Sequence, residues 1–304
     1  MLIRPEAPPD YPAIAALHAY AFGNRAAEAA VVALRRQSPA YDPELSLVAI
    51  SDDRIAGHVL LAPCSIRLLD QDVRAVNLAP IAVDPERQRQ GIGCALITEA
   101  HTVARAKGHA VSFLLGHAGY YSRLGYIPDA YGSSFAEVAA VPHAGYAIHR
   151  RALDSGDFPA LRALWRSEEA AVDFAIDPGA DPLEWLSPNP AVQACVYTAA
   201  GEVVGYTRVH TAEPHSPRAF LARDERAALA IARMLAQDAP GAKLILPLHP
   251  YSRSARAFKA HCEPWEAGMA FGLAPSPLED YLAQVQSGRR IPGRPVWPVC
   301  FDLA

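Results

Sequence analysis

Two glycines placed directly before a helical pattern are the residues of this sequence best suited to chemistry. Residues 84–93 read DPERQRQGIG, and Gly91 and Gly93 precede apolar residues at helical spacing. Glycine lets the backbone approach a ligand, and the first N–H groups of a helix have no partner within that helix. The positive end of the helix dipole also attracts anions, so the segment predicts a binding site for a pyrophosphate.

Two common nucleotide-binding motifs do not fit this segment. The dinucleotide fingerprint needs G-x-G-x-x-G directly after a strand, but Leu96 stands at the third glycine and no acidic residue in the next strand could bind a ribose. The P-loop pattern is absent as well. Cys94 opens the helix and suggests an acyl-cysteine route, but close approach to a phosphate also requires a small residue there, and we favour that structural role.

The elements around the segment follow from its apolar patterning. Residues 75–83 form an apolar run of strand length. Pro80 within this run cannot donate a backbone hydrogen bond, which predicts a bulge or a splayed strand. The elements predicted after the glycines are a helix at 91–107, a strand at 111–115, a short helix at 120–124 closed by Gly125, and a return to the sheet at Tyr126-Ile127.

The sequence also contains a faint internal repeat. Residues 10–17, DYPAIAAL, match residues 157–164, DFPALRAL, 147 positions later, and in both the aspartate is placed to cap a helix. A second match, residues 47–57 with 194–205, reads in each copy as a strand, a tight turn and another strand. We therefore predict two related domains, residues 1–142 and 146–304. Chance similarity between alanine-rich segments is the alternative.

Composition limits the class of protein. A chain of 304 residues suits two domains, and 51% hydrophobic with 20% charged residues excludes wholesale disorder. The net charge of −4 argues against a nucleic-acid partner. No apolar stretch reaches the length of a secretory signal or a membrane span, so we expect a cytoplasmic protein with no membrane partner. The five cysteines form no C-x-x-C pair, and we expect no metal.

Two segments resemble one known superfamily. Residues 88–93, QRQGIG, resemble the Q-x-x-G-x-G coenzyme A loop of the GNAT N-acetyltransferases, and residues 120–126, YYSRLGY, resemble its closing Y-x-x-x-G-[FY] element. The order and spacing of the two are right. The short distance from Leu115-Gly116 to this element, with NLAPIAV at 77–83, is most similar to the YhbS-like branch. The resemblance covers roughly residues 1–135.

The resemblance implies an α/β fold, called α+β in some schemes. It would consist of tandem GNAT folds, each a mixed, mostly antiparallel sheet flanked by helices, with two central strands splayed apart. The second copy is expected to be degenerate, because its corresponding segment at 218–226 has no glycine pair before the helix. It should not bind coenzyme A in the same way, and would stabilise the first copy, dimerise, or wall the acceptor pocket.

By the same resemblance, acetyl-CoA is the co-substrate. Backbone groups of Ile81, Ala82 and Val83 would pair with its pantetheine arm like an added strand. The residues that would hold its pyrophosphate are Arg87, Gln88, Arg89, Gln90, Gly91, Ile92, Gly93 and Cys94.

The resemblance also implies an acid for the departing thiolate. Tyr121, four residues before Gly125, holds the family's position for it, and a phenol can protonate a thiolate as charge develops on sulfur. A base is harder to identify. Many relatives carry a carboxylate on the splayed strand, where this chain has only Asn77; Glu28 and His117 are two further weak candidates.

These features predict an acetyl-CoA-dependent N-acetyltransferase that transfers an acetyl group to a primary amine by direct attack on the thioester. The acceptor would be a small-molecule or peptide amine, and the sequence leaves a homodimer open. The absence of a carboxylate from the splayed strand keeps a non-catalytic acyl-CoA-binding or sensor module as the alternative. A nucleotide-dependent oxidoreductase is third.

Overall fold

The computed structural model describes residues 1–141, 145–179, 181–295 and 302. The helices within these residues are α1 Tyr11–Ala21, α2 Ala27–Arg35, α3 Ile92–Ala106, α4 Ala118–Tyr121, α5 Phe158–Glu168, α6 Glu225–Asp238 and α7 Leu278–Gln286. The strands are β1 Leu2–Pro5, β2 Ser46–Ser51, β3 Arg54–Leu68, β4 Gln71–Val83, β5 Val111–Leu115, β6 Gly132–Val138, β7 His149–Ala152, β8 Ala175–Asp177, β9 Val192–Ala199, β10 Glu202–His210, β11 Ala219–Ala222, β12 Leu244–Leu246, β13 Ala260–Pro264 and β14 Gly268–Gly272.

These elements form mixed, mostly antiparallel sheets flanked by helices, as the sequence predicts. The largest sheet has the order β1-β2-β3-β4-β5-β14, with β8 paired to β3. Its β4–β5 pair is parallel, and the other pairs are antiparallel. Helix α3 covers one face, where Leu96 and Ala100 pack against Val59, Leu61 and Val76 of the sheet. A second sheet has the order β11-β10-β9-β7.

One strand reaches the largest sheet from the second half of the chain. Strand β14 occupies the edge beside β5, in a register that places Gly268 opposite Leu115. Strand β6 instead joins a third sheet between β12 and β13. The predicted return of Tyr126-Ile127 to the sheet is limited to one bridge, between Ile127 and Ala270, because β14 already pairs with that edge of β5. The domain limits near residue 142 stay a prediction, since residues 142–144 lie outside the described residues.

The repeated hairpins are confirmed. Strands β2 and β3 are joined at Asp52-Asp53, with φ of +51° and +57°, and β9 and β10 at Ala200-Gly201, with φ of +48° and +85°. Positive φ at both central residues is the geometry of the two-residue turn that matches the twist of paired strands. The two hairpins therefore share their turn geometry as well as their sequence pattern.

The predicted caps at Asp10 and Asp157 are wrong, although both helices begin there. Neither side chain caps its helix. Asp10 accepts two bonds from Arg4, at 2.6 and 2.9 Å, and Asp157 accepts two from Arg151, both at 2.7 Å. Each carboxylate also accepts from a backbone N–H three residues earlier, Ala7 N at 2.8 Å and Asp154 N at 2.9 Å. Its oxygens are therefore engaged before the helix rather than at the helix N–H groups. The same arginine–aspartate pair thus occurs twice, 147 positions apart, and the two related domains stay a prediction.

Two repeat-related glycines let a helix lie against each sheet. A Cβ at Gly57 would lie 2.8 Å from Leu96 Cδ1 of α3, and one at Gly205 would overlap Ile231 of α6. We expect Gly57→Ala and Gly205→Ala each to lower the free energy of unfolding by about 1–3 kcal/mol, measured by urea denaturation, because the helix must move away. Gly119→Ala is the control, since nothing lies within 4 Å of its added Cβ. Equal stability of all three variants would contradict this explanation.

The described residues contain no helix that is long and apolar enough to cross a bilayer. Within the same residues, no cluster of three or more His, Cys, Asp or Glu side chains is placed to hold a metal ion. The four described cysteines are free thiols, and Cys300 lies outside the described residues.

Candidate active site

Helix α3 begins with backbone N–H groups that the helix itself does not satisfy. Gly91 precedes it with φ +83° and ψ 0°, a left-handed conformation that glycine adopts without strain. The bond from Ala95 N to Gly91 O, 3.0 Å long, opens the helical pattern, so the N–H groups of Ile92, Gly93 and Cys94 precede it. Gly91 has no side chain to cap them. This helix start can therefore bind an anion.

Strands β4 and β5 pair over three residues and then separate. Their parallel register ends with Asn77 opposite Phe113, although both strands continue. On its other edge β4 stays paired with β3, with a register shift next to Pro80. The bulge and the splay predicted from Pro80 are thus both present. Within the described residues, β4 has an open edge from 78 to 83 that could pair with an extended ligand.

A cavity of about 540 Å³ lies between the open edge of β4 and the start of α3. We call it the α3 cavity. It is lined by Ile81, Val83, Gln88, Arg89, Gly91, Ile92, Gly93, Cys94, Tyr120 and Arg123. The first eight of these are residues that the sequence predicts to bind coenzyme A. The guanidinium groups of Arg89 and Arg123 make the cavity positive, and its volume suits a small organic ligand.

Three predicted cofactor residues do not line the α3 cavity. Arg87 Nη1 donates to Asp52 Oδ2 at 2.8 Å, at the turn of the first hairpin. Ala82 is 3% exposed and stands opposite His58 of β3, so its side chain points to the other face of the sheet. Gln90 is exposed. Ala82 can still contribute its backbone at the open edge, but the side chain of Arg87 is engaged at the hairpin turn.

Tyr120 and Arg123 line the cavity and were missed by the sequence analysis. The hydroxyl of Tyr120 lies 2.7 Å from the position of a Cβ on Gly93, so the phenol closes over the start of α3. Burial raises the pKa of Tyr120, as does the neighbouring Cys94. The three-residue spacing of Tyr120 and Arg123 on a short helix was a usable signal, because residues i and i+3 share a face.

Tyr121 is half-buried against the core beneath α3 and is not among the residues that line the α3 cavity. Its ring lies against Gly116, where an added Cβ would overlap it, and packs edge-on against Tyr120 and Tyr126 at centroid distances of 4.9 and 5.7 Å. Burial raises the pKa of Tyr121 to about 12, and the nearby Tyr120 adds to the rise. The phenol therefore keeps its proton at neutral pH and is a potential proton donor.

The three weak base candidates occupy different environments. Glu28 lies on α2, and its Oε2 is buried without a hydrogen-bond partner among the described residues. His117 is exposed before α4, and its carbonyl accepts from Tyr121 N at 3.1 Å. Asn77 is 3% exposed, and its Nδ2 likewise has no partner in the described part of the chain. Of the three, Asn77 stands where β4 and β5 separate.

A second cavity, of about 520 Å³, lies between the two halves of the chain. We call it the junction pocket. The first half contributes Arg35 from the end of α2 and Asn77 from β4, and the second contributes Arg162 of α5, Asp177 of β8 and Glu184. Asn77 and Ala82 project from the face of β4 opposite α3. The two cavities therefore lie on opposite faces of the sheet, at the place where β4 and β5 part.

The second half does not repeat the helix start of α3. Helix α6 begins after Asp224, whose Oδ1 accepts from Ala227 N at 2.9 Å. A carboxylate of the chain itself thus takes the place that an anionic ligand would take. This arrangement agrees with the expectation that the second half does not bind coenzyme A as the first would.

Comparisons with known proteins place the first half in a family. The acetyltransferase (GNAT) domain model matches residues 3–128. The uncharacterized N-acetyltransferase YhbS of Escherichia coli K12 is 34% identical over 127 residues, which cover 41% of this chain and 73% of YhbS. The uncharacterized N-acetyltransferase YjhQ of the same organism is 36% identical over 104 residues, covering 34% of this chain and only 57% of YjhQ.

A solved structure extends the likeness in fold beyond the first half. A GCN5-related N-acetyltransferase from Anabaena variabilis has a TM-score of 0.71 and 11% identity over 90% of this chain and 73% of its own. At that identity the likeness concerns the fold alone. The identity to YhbS over most of its length carries the assignment: this chain belongs to the GNAT superfamily of N-acetyltransferases.

Proposed function

We propose that the protein is an acetyl-CoA-dependent N-acetyltransferase that acetylates a primary amine. The observation that carries the proposal is the α3 cavity, where the N–H groups of Ile92, Gly93 and Cys94 stand beside the open edge of β4. The N–H groups bind the pyrophosphate, Arg89 and Arg123 balance its charge, and the pantetheine arm pairs with residues 81–83 as an added strand.

The transfer is direct and balances without a covalent enzyme intermediate. The acceptor enters as an ammonium ion and loses one proton to solvent, and its nitrogen then attacks the thioester carbonyl carbon. A strand N–H stabilises the oxyanion. When the C–S bond breaks, the sulfur leaves with the electron pair and takes the proton of Tyr121, which regains one from the nitrogen. The products are an amide, the coenzyme A thiol and one proton in solvent.

Calorimetry with coenzyme A and release of free thiol from acetyl-CoA with a panel of amines test the proposal. We expect binding, amine-dependent thiol release, and a Kd about tenfold higher in Gly93→Ala, because the added Cβ would lie 2.7 Å from the Tyr120 hydroxyl and would displace the phenol at the helix start. Gly119→Ala is the control on α4, and its Kd should equal that of the wild type. If calorimetry showed that the purified protein binds neither coenzyme A nor its thioesters, the proposal would be overturned.

A non-catalytic acyl-CoA sensor is the second candidate. Asn77 supports it, because the splayed strand offers an amide where a carboxylate base would stand. Tight coenzyme A binding with no thiol release across the amine panel would favour the sensor.

We further propose residues 1–142 as the catalytic domain and 146–304 as a degenerate GNAT-like copy. The recurring arginine–aspartate pairs and hairpin turns support the second copy. A cytoplasmic location and a homodimer stay predictions from the sequence.

A further inference from the structure

The junction pocket is built by both halves of the chain. Strand β8 pairs with β3, Asp177 opposite Ser65, and so fixes the segment that follows it against the first half. Arg35 Nη1 then donates to Glu184 Oε1 at 2.6 Å, across 149 positions of sequence. A volume of about 520 Å³ is that of a small-molecule site.

Asn77 brings an unsatisfied donor to this pocket. The residue is 3% exposed, and its Nδ2 has no hydrogen-bond partner among the described residues. An unpaired buried donor is costly, and a ligand oxygen that accepted from it would remove the cost. Asn77 also ends the β4–β5 pairing, so an oxygen bound to it would lie beside the opening between the strands.

The charges of the pocket favour a cation. Its lining includes the carboxylates of Asp72, Asp177, Asp181 and Glu184 against the guanidinium groups of Arg35, Arg162 and Arg166, a balance of −1. Arg162 and Arg166 bind Asp177, and Arg35 binds Glu184. Asp181 instead accepts from two neutral groups, Ser38 Oγ at 2.6 Å and Leu183 N at 3.0 Å. Its negative charge is therefore available to an ammonium group.

We propose that the junction pocket is the acceptor site, and that it selects a protonated amine carrying an oxygen acceptor a few bonds from its nitrogen. Asn77 donates to that oxygen, and Asp181 attracts the ammonium group. The proposal rests on the proposed acetyltransferase function and adds the class of acceptor and the share of the second half in binding it. An amine held there reaches a thioester on the other face through the gap between β4 and β5.

Three small amines of similar length test the oxygen requirement. Ethanolamine and glycinamide carry the oxygen, and n-propylamine lacks it. Titrated into the coenzyme A complex of the ¹⁵N-labelled full chain, the first two should shift the side-chain amide resonance of Asn77 and bind at least about tenfold more tightly than n-propylamine. Equal affinity of the three amines, or no shift at Asn77, would overturn the proposal.

Two variants separate the contribution of the Asn77 amide from that of the Asp181 charge. Asn77→Leu should abolish the preference for oxygen-bearing amines, and because Nδ2 lacks a partner, the similar-sized apolar side chain should keep the melting temperature. Asp181→Asn keeps an oxygen for Leu183 N, presents an amide that can donate to Ser38 Oγ, and removes the charge. It should weaken all three amines about fivefold with the preference intact. Glu202→Gln, in the exposed pair with Arg223, is the control. A preference that persists in Asn77→Leu, or amine affinities that Asp181→Asn leaves unchanged, would count against the proposal.

These readouts keep the two proposals apart. Thiol release at equal rates from ethanolamine and n-propylamine would leave the acetyltransferase function standing and overturn the acceptor site. Selective amine binding without any thiol release would overturn the acetyltransferase function and leave the junction pocket standing as an amine-binding site.

Discussion

Replacing Tyr121 with phenylalanine should lower kcat for acetyl transfer about 100-fold and leave the Kd for coenzyme A nearly unchanged. The substitution removes one hydroxyl and keeps the ring contacts with Tyr120 and Tyr126. Because burial raises the pKa of Tyr121 to about 12, the phenol holds its proton until the thiolate leaves. Release of free thiol measures kcat, and calorimetry measures Kd.

The adjacent tyrosine is the matched control. Tyr120 lines the α3 cavity beside Gly93, so Tyr120→Phe should change the affinity for coenzyme A more than it changes kcat. The wild-type rate should also show no alkaline loss from Tyr121 up to about pH 10, since the phenol remains protonated there. A Tyr121→Phe enzyme with full kcat would remove this residue from the mechanism.

Replacing Glu6 with glutamine should lower the free energy of unfolding at pH 7 by about 3–5 kcal/mol. The Glu6 side chain is 0% exposed and accepts from Arg36 Nε at 2.8 Å and Arg36 Nη2 at 2.7 Å. His58 Nε2 lies 3.2 Å from the same carboxylate. Glutamine keeps the shape but leaves the guanidinium of Arg36 without its counter-charge in a poorly solvated site. Urea denaturation measures the difference.

Acid should produce the same loss in the wild type. Burial alone would raise the pKa of Glu6, but the bonds from Arg36, His58 and Tyr41 hold it far below its usual 4.5. A carboxyl with a lowered folded-state pKa stabilises above the unfolded pKa and loses that contribution as the pH falls. The gap between wild type and Glu6→Gln should therefore be full near pH 7 and shrink below about pH 4.5.

Glu202, which is 77% exposed in its pair with Arg223, provides the comparison. Glu202→Gln should leave the unfolding curve unchanged, because exposed ion pairs contribute little. If Glu6→Gln and Glu202→Gln lost equal stability, the buried contacts of Glu6 with Arg36 and His58 would not be the cause.

These buried contacts also adjoin the candidate site, since His58 stands opposite Ala82 on β4, the strand with the open edge.

Local patterns were enough to predict the helix start and the bulged strand. The left-handed Gly91 and the irregularity at Pro80 depend on the backbone preferences of single residues, which sequence displays directly. Patterns failed where a side chain had competing partners. Asp10 binds Arg4 rather than capping its helix, and Arg87 binds Asp52 rather than lining the α3 cavity, because neither arginine is marked as a partner by its position in the chain.

The amino-acid sequence by itself determined the repeated hairpins, the helix start at Gly91 with its unpaired N–H groups, and the family. Each of these depends on residues within a few positions of one another. Only the tertiary structure decided that β14 pairs with β5 and that Glu184 meets Arg35 beside Asn77. The reason is that any extended segment offers the same row of backbone donors and acceptors. Which distant strand occupies a free edge, and which loop it brings with it, depends on the packing of the whole chain.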